Sequence, residues 1–97
     1  MDFLVRNNIG GILCCTDTDS LRITGRLLKW GINMPAEVSL VSYGNTELTQ
    51  SSNPSVTVVD CNYPEMARLV ALLIFNVDNS NVTKQYVIQP ELIVRQT

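Results

Sequence analysis

Two short apolar runs flank one amphipathic stretch, and this alternation narrows the folds open to the chain. Residues 11–15, GILCC, and residues 38–42, VSLVS, have the length and apolar content of β-strands. Between them, residues 20–30 repeat apolar side chains at helical spacing. Leu21, Thr24 and Leu28 form one stripe, and Ile23, Leu27 and Trp30 form a second beside it. A strand, a helix and a second strand in this order predict a parallel pair joined by a right-handed crossover. Thr16-Asp17-Thr18-Asp19-Ser20 offers side-chain oxygens to the free N–H groups at the helix start. Gly31 ends the helix, and Pro35 blocks a restart before the next strand. Arg22, Arg26 and Lys29 fall on the remaining face, where cations near a helix C-terminus are favoured.

The second run is bounded by Pro35 and Gly44 and interrupted only by Ser39 and Ser42. That composition predicts a strand buried on both faces of a parallel sheet. It leads into the polar loop Tyr43-Gly44-Asn45-Thr46. Residues 47–53 predict one helical turn and a loop, and Asn53-Pro54 marks a turn. Residues 56–60, VTVVD, form a third, β-branched strand that also exits into polar groups, Asp60 and Asn62. Residues 2–8 resemble the last turns of a helix without a start signal. Pro64 opens a further helix at its first position and the helix continues to Phe75. Its only charges are Glu65 and Arg68, so it calls for cover on more than one side, and a chain this short has little mass to supply it. Residues 76–84 predict a polar connector. Residues 85–89 and 92–95 predict two strands, or one bent at Pro90.

Composition excludes several functions. A chain of 97 residues is one domain at most, with a thin core. A net charge of −2 argues against a nucleic-acid-binding surface of its own. The absence of His removes a histidine-based triad, a histidine metal ligand and a near-neutral histidine switch from this chain. Cys14, Cys15 and Cys61 are odd in number and two are adjacent, which suits reduced, buried thiols of a cytoplasmic protein rather than a disulfide framework. Cys14-Cys15 lacks a base partner, and Asp17, Asp19 and Asp60 lack the spacing of a metal loop such as an EF-hand. No catalytic residue, metal or cofactor is expected, and neither a signal peptide nor a membrane-spanning segment is present.

Taken in order, these pieces resemble the C-terminal part of the LacI/GalR family of bacterial transcription regulators. GILCCTDTDSLRITGRLLKWGINMPAEVSLVSYGNTEL is similar to the family's apolar strand, Asn/Ser/Thr-Asp turn, helix, Gly, Pro-x-x-(Ile/Val)-Ser and Val-x-(Phe/Tyr)-x-(Asp/Asn). NPSVTVVD resembles its Pro-Leu-Thr-Thr-Val stretch, PEMARLVALLI its Glu-Met-Gly helix, and QPELIVRQT its closing Pro-x-Leu-x-x-Arg strand. The resemblance implies an α/β fold, a partial doubly wound parallel sheet forming the C-terminal lobe of a type I periplasmic-binding-protein-like domain. It implies that residues 1–97 are a C-terminal fragment of an effector-binding domain. The DNA-binding domain, the N-terminal lobe and the first strand–helix unit of the C-terminal lobe would lie outside this chain. Such a protein is a cytoplasmic repressor. A sugar or sugar-phosphate effector, a homodimer or higher assembly, and DNA contact only through the domain outside this chain complete the implied picture, with no membrane partner. Relatives place the helix matching residues 21–30 and the loop near residues 48–52 at their dimer interface.

The residue chemistry and the resemblance meet on the same loops. In an open α/β sheet neighbouring strand exits share one crevice, and short polar side chains there suit hydroxyl-rich ligands. The candidate ligand-binding residues are Thr16, Asp17, Tyr43, Gly44, Asn45 and Asp60. Asp17 matches the family's Asp-bearing turn and also fits a helix cap. Thr16 stands where relatives often carry a ligand-contacting Asn. Gly44 stands where many carry an Asp that grips hydroxyls, so Asn45 takes over that role or the pair forms a tight turn with positive φ. Asp60 matches a position that contacts ligand across the hinge, and equally fits a strand-end cap or a partner for Arg68. One wall of a two-walled cleft implies weak binding by this chain alone. Two other functions fit the sequence: part of an exported sugar-binding protein for import, or a small flavodoxin-like enzyme or phospho-acceptor domain.

Overall fold

The computed structural model describes residues 2–75 and 85–97. The elements in order are α1 (Asp2–Arg6), β1 (Gly11–Cys14), α2 (Asp17–Lys29), β2 (Ser39–Tyr43), α3 (Glu47–Ser51), β3 (Thr57–Asp60), α4 (Tyr63–Phe75) and β4 (Glu91–Ile93). The strands form one sheet in the order β1-β2-β3-β4. The first three run parallel and β4 runs antiparallel to β3 at the edge. This is an α/β, mostly parallel sheet, as the alternation of strands and helices predicts. The polar connector assigned to residues 76–84 lies outside the described residues.

α2 begins three residues before the predicted start. Thr16 is its N-cap, its hydroxyl accepting from the Asp19 N–H at 3.1 Å, with Asp17 and Asp19 in the positive first turn. The helix closes with a Schellman motif. Gly31, at φ 73°, donates its N–H to the Leu28 carbonyl, and Ile32 donates to the Leu27 carbonyl. Leu27 and Ile32 are both buried in the core, supplying the apolar contact that accompanies this motif. Of the predicted apolar stripes, Leu27 and Thr24 are buried and Leu21 and Ile23 half-buried, while Leu28 and Trp30 face solvent.

The register aligns Cys14 with Ser42, Ser42 with Val58 and Val58 with Ile93, placing all four on one sheet face. Cys14, Leu27, Ile32, Val38, Leu40, Val56 and Val58 form the buried core on that face, with Leu4 and Met34 packed against it. Ser20, at 0% exposure, and Thr24 sit in the same helix and let it lie close to the sheet. Ser20 Oγ donates to the Asp17 carbonyl at 2.6 Å, whereas Thr24 Oγ1 is buried without a partner among the described residues. Such a group costs about 1–3 kcal/mol.

The opposite face is open, which corrects the expectation of strands buried on both sides. Along β2, Leu40 and Ser42 are buried, Val41 is half-buried, and Ser39 and Tyr43 are exposed. Leu13, on the edge strand β1, is 67% exposed, and Leu92, on the other edge strand β4, is exposed as well. Among the described residues no helix is packed over these side chains. α4 is likewise uncovered, with no buried residue despite its apolar sequence. Its first helical residue is Tyr63, so Pro64 occupies the second position. Residues 85–89 form no strand, since Pro90 lacks the N–H that would carry the ladder across it and pairing begins at Glu91. Among the described residues no helix is long and apolar enough to cross a membrane.

The last residues close the sheet at its amino-terminal edge. Gln96 donates its N–H to the Ser55 carbonyl, and the Leu40 N–H donates to the Thr97 carbonyl. Thr97 Oγ1 accepts from the Thr57 N–H at 2.9 Å and donates to the Leu40 carbonyl at 2.7 Å. A Leu40→Ala substitution is expected to lower the unfolding free energy by about 2–5 kcal/mol. Leu13→Ala, on the open face, should stay within about 0.5 kcal/mol. Urea denaturation midpoints of the two variants check the assignment of the two faces.

Candidate functional site

Because β1, β2 and β3 are parallel neighbours, their carboxyl ends emerge side by side. The first exit holds Thr16 and Asp17, the second Tyr43, Gly44 and Asn45, and the third Asp60. Hydrogen bonds tie them into one surface. Ser42 Oγ donates to the Thr16 carbonyl at 3.4 Å, linking the first two exits. The Gly44 N–H donates to the Val59 carbonyl at 2.9 Å, linking the second to the third. Thr46 Oγ1 donates to Asp17 Oδ2 at 3.1 Å, and Asn45 Nδ2 donates to Asp60 Oδ2 at 3.2 Å. All six sequence-derived candidates therefore fall on one polar rim.

Each carboxylate has structural duties. Asp17 Oδ1 accepts from the Thr18 N–H at 2.8 Å, and Asp60 Oδ1 accepts from the Asn62 N–H at 2.8 Å. Asp17 Oδ1 also accepts from the Thr18 hydroxyl at 3.4 Å, so acceptor capacity toward a ligand hydroxyl remains on Asp17 Oδ2 and on both oxygens of Asp60. Asp60 is a strand-end cap and not the partner of Arg68. Arg68 lies one turn into α4 and pairs with Glu65. That pair lowers the Glu65 pKa and raises the Arg68 pKa, each chiefly through its side-chain hydrogen bond.

Gly44 is a conformational requirement. Its φ is 95°, a left-handed backbone that side chains rarely adopt, and a Cβ there would lie 2.9 Å from the Tyr63 hydroxyl oxygen. The tight-turn alternative thus holds at Gly44, and the polar group offered next to it is Asn45. Asn45 Oδ1 accepts from Arg95 Nη2 at 2.8 Å and from Gln50 Nε2 at 3.3 Å. Arg95 also donates Nη1 to the Val56 carbonyl at 2.9 Å.

The sequence missed Thr46, Tyr63 and Arg95 as members of this surface. Tyr63 could have been found from its position just past the third exit. Arg95 is 50 residues from Asn45 and left no local signal. Tyr43 is 53% exposed on the rim. Its phenol is held above its ordinary pKa, chiefly by its interaction with the Cys61 thiol close to it. The Cys14 thiol is also raised, by burial first, then by the charges of Asp19 and Cys15. Cys14 and Cys61 are buried as expected, but Cys15 lies beyond the end of β1 and is exposed. Among the described residues no cluster of His, Cys, Asp and Glu is arranged to hold a metal ion. A separate depression of 380 Å³ lies between α1 and the start of β2, lined by Leu4, Ile9, Ile32 and Val38 among others. It sits at the amino-terminal end of the strands, away from the polar rim.

The family model described as periplasmic binding protein-like domain matches residues 4–97. The chain belongs to this family. Over 92 residues it is 28% identical to the HTH-type transcriptional repressor PurR of Vibrio parahaemolyticus, covering 89% of this chain and 26% of that protein. It thus spans about a quarter of the length of the curated relatives it matches. Among solved structures it is similar to a LacI family transcriptional regulator from Bifidobacterium animalis, with TM-score 0.80 and 25% identity over 90% of this chain and 32% of that one. A LacI family regulator CCPA from Weissella paramesenteroides, solved with bound sucrose, gives TM-score 0.76 at 22% identity, covering 90% and 31% of the two chains. The resemblance carried by the sequence motifs is therefore borne out: the fold is that of LacI-family regulators, and the named relatives are transcriptional regulators rather than enzymes.

Gly44→Ala is expected to destabilise the chain by about 1–3 kcal/mol, from the strained backbone and the contact with Tyr63. Adding Tyr63→Phe should recover part of that loss by removing the hydroxyl oxygen. A double-mutant cycle from thermal or urea unfolding measures the recovered fraction.

Proposed function

We propose that this chain is the C-terminal part of the effector-binding domain of a LacI/GalR-type transcriptional repressor, and that its three strand exits form one wall of the effector cleft. The observation that carries this reading is the joining of Asp17, Asn45 and Asp60 into one hydrogen-bonded rim at the carboxyl ends of three parallel strands. The Weissella relative binds sucrose in one structure and glucose in another, which supports a sugar-like effector here. The facing wall and the DNA-binding domain are assigned to protein beyond these residues, in keeping with the quarter of the relatives' length that the chain spans. The rim offers both acceptors and donors, which suits binding of a hydroxyl-rich ligand. The named repressors do not favour an import protein or a flavodoxin-like enzyme. As a regulator, the protein works in the cytoplasm.

Titration of the isotopically labelled chain with glucose and with sucrose tests the cleft. Backbone amide shifts are expected at residues 15–17, 43–46 and 60–63, with millimolar affinity because only one wall is present. Asp17→Ala should weaken binding at least tenfold, the loss of a hydrogen bond to a charged acceptor. Shifts confined to the depression near α1, or none with any sugar or sugar phosphate, would refute the assignment.

Dimerisation belongs to the same proposal. Leu28, Trp30 and Leu48 are exposed on the outer side of α2 and on α3, a surface suited to a second copy. Sedimentation velocity at tens of micromolar should show a species of twice the chain mass or larger. A stable monomer at that concentration would count against self-association through these helices.

A further inference from the structure

Arg95 reaches the cleft wall from the opposite end of the sequence. Its backbone N–H donates to Thr57 Oγ1 at 2.9 Å, and Nη1 donates to the Val56 carbonyl at 2.9 Å. These bonds fix the arginine against the start of β3, and Nη2 then meets Asn45 Oδ1 at 2.8 Å. On its other side the Asn45 amide donates Nδ2 to Asp60 Oδ2 at 3.2 Å.

The two partners have opposite and exclusive chemistry. A guanidinium only donates and an ionised carboxylate only accepts. A flipped Asn45 amide would set its NH₂ against Arg95 and its carbonyl against Asp60, losing both bonds. One orientation is therefore selected. In that orientation the carbonyl oxygen is occupied by Arg95 and Gln50. One Nδ2 hydrogen goes to Asp60, and no hydrogen bond among the described residues uses the other. At this point the wall offers a donor.

We propose that Arg95 is a positioning residue: by holding Asn45 Oδ1 it locks the amide with its free N–H available to the crevice, so that the ligand atom met by Asn45 is a hydrogen-bond acceptor such as a hydroxyl, ring or phosphate oxygen. The ligand half of this statement rests on the cleft reading above. The locked amide does not. Arg95 touches no ligand itself and acts through Asn45. Because the same guanidinium holds the Val56 carbonyl, it also couples the segment after β4 to the crevice loop.

The test uses the 97-residue chain, unchanged and with Arg95→Lys or Arg95→Met. The readout is solvent exchange of the two Asn45 Nδ2 protons by NMR, with the backbone spectrum of β2 and β3 as the folding control. In the unchanged chain one proton should exchange at least tenfold more slowly than the other. Arg95→Lys, still donor-only, should keep that difference. Arg95→Met, of similar length but without a donor, should abolish it. A difference of tenfold or more retained in the Met variant would overturn the proposal. If the Met variant does not fold, the unchanged chain decides through the Arg95 Nη signals. Separate, slowly exchanging resonances support the held guanidinium, and one averaged set overturns it. A glucose titration separates the two readings. If the unchanged chain shows no glucose-induced shifts, the cleft reading fails and the amide signals still decide the positioning. If it binds, Arg95→Met should weaken binding at least tenfold and Arg95→Lys should restore it; equal affinity in the Met variant would overturn the proposal.

Discussion

β2 is hydrogen-bonded along both edges, and the polar rim depends on that pairing. β1 holds one edge and β3 the other, with Cys14, Ser42 and Val58 in one row. A slip of one residue would turn each strand's buried set to the opposite face. Leu40 and Val58, both at 0% exposure beneath α2, make such a slip costly. The register that the core enforces is also what brings three chain exits level with one another. Stability and site geometry are thus set by the same contacts, and the buried Ser42 takes part in both.

Much of this was legible locally. The strands, α2 and its ends are written in spacing and punctuation within a dozen residues, and Gly31 shows the type of stop as well as its place. The convergence of Thr16-Asp17, Tyr43-Gly44-Asn45 and Asp60 followed from parallel pairing alone. The open sheet face was not legible. An apolar side chain such as Leu13 or Val41 reads the same whether its cover belongs to these residues or to others. The Asp60–Arg68 pairing failed because Glu65 is one helical turn from Arg68 on α4, and that local pair wins. Arg95 was read only as part of a closing motif, since a bond across 50 residues has no periodicity to betray it.

The rim's chemistry departs from a simple acid-lined sugar site. Gly44 cannot carry the acid that the family resemblance suggests for that position without displacing Tyr63. The negative charge lies instead on Asp17 and Asp60, each already bonded to neighbours. Asn45, bracketed by Asp60 and Arg95, supplies the neutral amide between them. The match to the periplasmic binding protein-like family, over residues 4–97, takes in every residue of this surface.

Thr97 completes the seam between β2 and β3 by taking the Leu40 carbonyl and the Thr57 N–H at once. It does so across 57 positions of sequence. Contacts of such separation bear the largest loop-closure entropy and form late relative to local helices and turns. During synthesis, when a domain is made from its amino end, the base of this seam stays unpaired until the closing residues clear the ribosome. Until then the Leu40 carbonyl and the Thr57 N–H are open to water or to a neighbouring nascent strand. By occupying both groups, Thr97 also keeps them from pairing with another strand.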